Sequence, residues 1–140
     1  MIATSFALLA QVDDQSCLPA LLTRMQRAIA LTLQGQSRDL CDDGTTRAIK
    51  TSLAVAESKS GPLFALCLEL PLITASKFSS LDAAQQTGNF FGAGYQVLDD
   101  IHDAENDQAT ENSANVVVVF SEVLSAKDAY FEAQVIARHY

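Results

Sequence analysis

The chain has 140 residues, of which 49% are hydrophobic and 19% charged, with a formal net charge of −8 and a pI near 4.5. This composition fits one globular domain and argues against a disordered chain. The acidic balance speaks against nucleic acid and anionic membranes, which need clustered Lys and Arg, but admits a phosphorylated small molecule where a divalent cation stands between.

The residues Met1 to Ala10 are apolar, have no basic stretch and run into Gln11, Asp13 and Asp14; they read as a buried helix end, not a signal peptide. From Leu18 to Leu40, apolar residues recur at helical spacing (Leu21, Leu22, Met25, Ile29, Leu33), with Ser16 as a candidate cap and Pro19 in the first turn. Cys41 to Thr45 reads as a turn, and Thr45 as the cap of a helix to about Glu57. Ser58-Lys59-Ser60-Gly61-Pro62 is expected to break that helix and start an apolar one ending near Phe78.

A long helix is predicted from about Leu81 to Asp103, with Asp82 favourable in its first turn, followed by a polar loop over Ala104 to Asn115. The run Val116 to Phe120 favours a strand by propensity, but a lone strand has no partner, so a short buried helix is expected. A last helix is predicted from about Ala126 to the end. The stretch Leu63 to Ala75 contains Glu69 and Pro71 and is too short to span a bilayer. The 3 cysteines, Cys17, Cys41 and Cys67, are far apart and odd in number, as expected of reduced thiols in a cytoplasmic protein; Cys67 reads as a small core residue.

Chemistry concentrates in Gly94-Tyr95-Gln96-Val97-Leu98-Asp99-Asp100-Ile101-His102-Asp103. Asp99 and Asp103 are one turn apart on one helix face, and Asp100 is rotated by about 100°. Acids there repel one another and oppose the helix dipole; a hard divalent cation relieves both effects. The same acids also fit a solvated helix end running into an acidic loop through Glu105 and Asp107. His102 reads as solvent-facing, and Phe90, Phe91 and Tyr95 as either core or cavity lining.

The pattern formed by Gly92, Tyr95, Gln96, Asp99, Asp100 and Asp103 resembles the second aspartate-rich motif of trans-isoprenyl diphosphate synthases, the polyprenyl synthetase family. Lys59-Ser60-Gly61-Pro62-Leu63-Phe64 is similar to that family's K-[TS]-G-x-L-F motif, and Gly35-Gln36-Ser37-Arg38-Asp39-Leu40 to its G-Q-x-x-D-L motif, in the family's order. The resemblance spans about Ser5 to Lys127 and implies an all-α helical bundle like the C-terminal part of the isoprenoid synthase fold, here one partial domain over residues 1–140. It implies Asp99, Asp100 and Asp103 as Mg²⁺ ligands, and Lys59, Ser60, Tyr95 and Gln96 as substrate-binding. Lys59 contacts the diphosphate, and Gln96 faces the positive charge developing on the allyl carbon. The implied reaction condenses an allylic diphosphate with isopentenyl diphosphate.

The chain departs from the family pattern in having no first D-D-x-x-D before Lys59, and no G-K-x-T-x-P-type segment after the second motif. Met1 falls just after the helix that bears the first motif in the family, so a truncation is expected, inactive alone. Three readings stay open: a truncated synthase relative, a non-catalytic small subunit pairing with a full-length synthase, and a helical interaction protein. The first two imply a homo- or hetero-oligomer.

Overall fold

The computed structural model describes residues 2–41, 49–109 and 115–140. Among these, the elements are α1 (Ile2–Leu9), a 3-10 turn at Gln15–Cys17, α2 (Leu18–Cys41), α3 (Ile49–Thr74), a second 3-10 turn at Phe78–Ser80, α4 (Leu81–Ala109), α5 (Val116–Ser121) and α6 (Ala126–His139). The fold is all-α, as expected, and no helix among the described residues is long and apolar enough to cross a membrane.

α3 lies between α2 and α4, and α4 in turn packs on α5 and α6. The closest approach, between α3 and α4, runs through small residues. A Cβ on Gly92 would fall 2.5 Å from Gly61 Cα, and one on Gly88 would collide with the Ala65 backbone. Gly61 and Ala65, and Gly88 and Gly92, are each one turn apart, so two small stripes let the backbones meet. Gly35 plays the same part for α2: a Cβ there would sit 2.6 Å from Ser58 O.

The expected break at Ser58 to Pro62 does not occur, because α3 runs unbroken through Pro62 and Pro71. Each proline removes one backbone donor; here Pro62 is buried, Gly61 and Ala65 abut α4, and the packing of α3 on α2 and α4 holds the helix together across that loss. α3 ends where Ser76 takes φ 56° and Lys77 N–H donates to Leu72 O at 2.8 Å, a left-handed closure of the last turn.

Two further expectations are corrected. The start of α2 is prepared by Asp14, whose carboxylate accepts from Ser16 N at 2.9 Å, and not by a Ser16 cap. α4 continues beyond Asp103 to Ala109, because Ala104 is buried against α5 and α6. Of the expected turn at Cys41 to Thr45, Cys41 instead ends α2, and the rest, with the Thr45 cap, lies outside the described residues.

The valine run is the short buried helix α5. Asn115 Oδ1 accepts from Val117 N at 2.8 Å and Val118 N at 3.3 Å, and Val116 to Phe120 are all buried. Capping and burial here outweigh strand propensity. Val97, Ala104, Val116, Phe120, Ala129 and Ala133 form one core under α4, α5 and α6. A second core joins Cys17, Leu21, Ile73 and Leu81 at the opposite end. In α2 the apolar stripe is only partly core, since Leu33 is 60% exposed. Between α2 and α3, Arg24 Nη1 meets Glu69 Oε1 at 2.9 Å, which pairs the acid carried by the apolar stretch of α3.

Candidate functional site

The acidic motif lies within the C-terminal half of α4, and its carboxylates divide between two environments. Asp99 and Asp103 are exposed, whereas Asp100 is 8% exposed. Both Asp100 oxygens are engaged: Oδ2 accepts from Val116 N at 2.9 Å and Oδ1 from Gln96 Nε2 at 3.2 Å. Burial pushes the Asp100 carboxyl up to about 6 from an ordinary 3.8; the Val116 and Gln96 bonds and the Lys59 charge oppose that rise, and Asp107 adds to it.

Gln96 ties the two sides of the site together. It is buried, accepts from Ser60 Oγ at 2.8 Å, and donates to Asp99 Oδ2 at 3.3 Å as well as to Asp100. The Lys59-Ser60 pair of α3 is thereby brought to the acidic end of α4, with Lys59 close enough for its charge to act on Asp100. Lys59 and Ser60 are half-buried. His102 is exposed, as expected.

Tyr95 lies one turn before Asp99, and Phe91 one turn before Tyr95. Both pack on Phe64 of α3, with ring centroids 5.3 Å and 4.9 Å apart respectively. Phe90 does not join them; it turns to Tyr140 at the end of α6, with centroids 4.7 Å apart. Beyond the aromatic cluster the α3–α4 seam opens into an apolar groove of about 300 Å³ lined by Phe64, Cys67, Leu68, Thr87, Gly88 and Phe91. Through Cys67, Leu68 and Thr87 it adjoins a further hollow of about 400 Å³ reaching Leu72, Ala83 and Ala84. Cys67, expected in the core, is exposed in this groove, because α3 is apolar on nearly all sides and only part of that surface faces a neighbour.

Three contributors were given no site role from the sequence. Asn115, 1% exposed, donates to Asp100 O and to Asp107 Oδ2, both at 2.8 Å, while capping α5. An asparagine before an apolar run is a recognisable cap signal, but its link to α4 is tertiary. Phe64 and Gly88 became groove residues only through the pairing of α3 with α4. Gln36 is exposed, and the Asp39 side chain lies outside the description.

Among the described residues, no group of three or more His, Cys, Asp or Glu side chains is placed to hold a metal ion. What the motif offers outward is Asp99 and Asp103, two exposed hard oxygen donors on α4 beyond the residues that line the groove. That set fits Mg²⁺, which takes one or two carboxylates and completes its octahedron with waters and phosphate oxygens.

A family model described as polyprenyl synthetase matches residues 1–115 of the chain. No curated protein and no solved structure gives a significant match.

Proposed function

Because the chain belongs to the polyprenyl synthetase family, we propose that its α3–α4 face binds an allylic prenyl diphosphate together with Mg²⁺. The observation that carries this reading is the pair of exposed carboxylates, Asp99 and Asp103, on the same helix as Phe91 of the apolar groove and about two and three turns further along it. The polar end suits a metal-bound diphosphate and the groove suits a hydrocarbon tail.

Asp99 and Asp103 would hold the Mg²⁺, and Lys59 adds a point charge toward the diphosphate from α3. The metal supplies charge neutralisation that makes the diphosphate a better leaving group. Gln96, oriented by Ser60 and Asp100, presents its amide beside the reacting end. Tyr95, Phe91 and Phe64 flank the first part of the tail and keep water from it. Asp100 is a positioning residue, because both its oxygens are spent on Gln96 and on α5.

The reaction is breakage of the allylic C–O bond, with the electron pair leaving on the diphosphate. The double bond of isopentenyl diphosphate then attacks the allylic carbon, and a proton is lost to restore a double bond. The 140 residues carry one such acidic motif. Binding is the part of this reaction that Asp99 and Asp103 are proposed to carry.

Calorimetric titration of geranyl diphosphate, with and without Mg²⁺, tests the reading. Binding is expected only with Mg²⁺, lost in Asp99→Ala and retained in Glu132→Ala, whose site on α6 is exposed and away from the motif. Equal binding by both variants overturns the site. No binding by the folded wild-type chain leaves the reading of a non-catalytic subunit.

A further inference from the structure

A separate recess lies on another side of α3. Pro62, Ala65 and Glu69 form one stripe of that helix, apart from the stripe of Phe64, Cys67 and Leu68 that lines the groove. α2 and α4 both pack on α3, and the recess lies between them, bordered by Arg24 and Arg27 of α2 and by Gln85 and Asn89 of α4. In a chain of net charge −8 with 9 Lys and Arg residues, two arginines meeting in one recess is a local reversal of sign. Their situations differ. Arg24 is spent on Glu69, whose side chain is 6% exposed, at 2.9 Å. Arg27 is exposed, and neither it nor the half-buried Gln85 and Asn89 makes a side-chain hydrogen bond or ion pair among the described residues. One guanidinium and two amides thus border the recess with donors unused.

The recess runs on into a larger hollow. Leu31, Pro62 and Asn89 line both, and the hollow continues to Ala54, Ser58 and exposed Glu57. The recess offers about 20 Å³, enough for one water-sized group, and the hollow about 180 Å³, enough for about six at the roughly 30 Å³ of a liquid water. Arg24 faces Glu69 and Gly35 faces Ser58 in one antiparallel register, which sets Arg27 about 12 Å along α3 from Glu57. The cleft therefore has a cation and amides at one end, an apolar middle, and an acid at the other end.

We propose that this cleft binds a short aliphatic carboxylate with an ammonium group at its far end. The carboxylate takes Arg27 and the Asn89 amide, the methylenes cover Leu31 and Pro62, and the ammonium points to Glu57. Glu69 behind the recess sets the charge at the first end. Beside Arg24 its buried carboxylate admits a monoanion and repels a phosphate dianion. Glu57 repels a second carboxylate in the same way.

Amide chemical shifts of the full chain, followed by NMR in chelator at low salt, test the cleft. 6-Aminohexanoate should shift the residues of α2, α3 and α4 that line it, with a Kd on the order of 1 mM. Hexanoate should bind about threefold more weakly, and adipate and inorganic phosphate more weakly still. Arg27→Gln, with unchanged far-UV circular dichroism, should weaken 6-aminohexanoate about tenfold. Glu57→Gln should bring 6-aminohexanoate and hexanoate to equal affinity. No shift of the cleft amides at about 20 mM 6-aminohexanoate overturns the proposal, as does binding indifferent to Arg27→Gln, or tighter binding of adipate or phosphate. The cleft needs no Mg²⁺ and shares no lining residue with the α3–α4 groove, so its failure leaves the proposed function standing, and geranyl diphosphate with Mg²⁺ should not displace 6-aminohexanoate.

Discussion

Asp100 sits one residue from Asp99 but in a different medium. Its folded pKa of about 6 lies above the ordinary 3.8, so folding takes up a proton between those values. The stability linked to this group is therefore fully present below about 3.8 and lost as pH rises through about 6. Asp100→Asn removes the titration and leaves an oxygen to accept from Val116 N. In metal-free buffer, denaturant unfolding at pH 4 and pH 7 should show the wild type losing about 2–3 kcal/mol more than the variant across that interval. Asn115 is the second residue on which this region depends. Its side chain caps α5 and binds Asp100 O and Asp107, so Asn115→Ala removes a cap and leaves a buried carbonyl without its donor. A loss of about 2 kcal/mol or more in urea unfolding is expected, larger than for a cap alone. The division of the motif into outward Asp99 and Asp103 and inward Asp100 follows from helical spacing only in part. A rotation of about 100° separates the faces, but what lies on each face is a tertiary fact.

At the scale of elements, the α3–α4 pair sets the site. Its backbones approach through Gly61, Ala65, Gly88 and Gly92, and that approach brings Ser60 to Gln96 and Phe64 to Phe91. Gly88→Ala would drive its Cβ into the Ala65 backbone, and neither helix backbone can yield cheaply. A destabilisation of about 1–3 kcal/mol is expected in thermal or denaturant unfolding, together with weaker Mg²⁺-dependent diphosphate binding. Element types and most boundaries were legible in the sequence because apolar spacing and cap residues are local signals. The reading failed at Pro62, where local chemistry argues for a break and packing on two sides keeps one helix. It failed also past Asp103, where polar residues suggested a loop and burial of Ala104 extends α4. At Val116 to Phe120 the reading held, because a strand with no partner was rejected in favour of a buried helix.

For the whole molecule, α3 between α2 and α4, with α5 and α6 behind α4, leaves one face of the α3–α4 seam open as a groove. A ligand that binds only the folded form stabilises it by mass action. Geranylgeranyl diphosphate with Mg²⁺ at a hundredfold excess over its Kd should stabilise the chain by about 2.7 kcal/mol, read as a rise in Tm, and chelator should abolish the rise. A ligand effect that survives chelator would remove Mg²⁺ from the reading. Loss of the effect in Asp99→Ala, with the unliganded Tm unchanged, would assign it to the acidic end of α4.

The sequence by itself determined the all-α class, through helical periodicity, and the family, through three ordered motifs. It also located the acids and the Lys59-Ser60 pair. These are patterns of residue type along the chain, which exist before any packing. Only the tertiary structure decided that Asp100 turns inward, that Gln96 links Ser60 to the acids, that Asn115 fastens α4 to α5, and that Cys67 faces a groove. Each of these depends on which helix surfaces meet. That is set by where small residues let backbones approach, and a one-dimensional spacing cannot encode it.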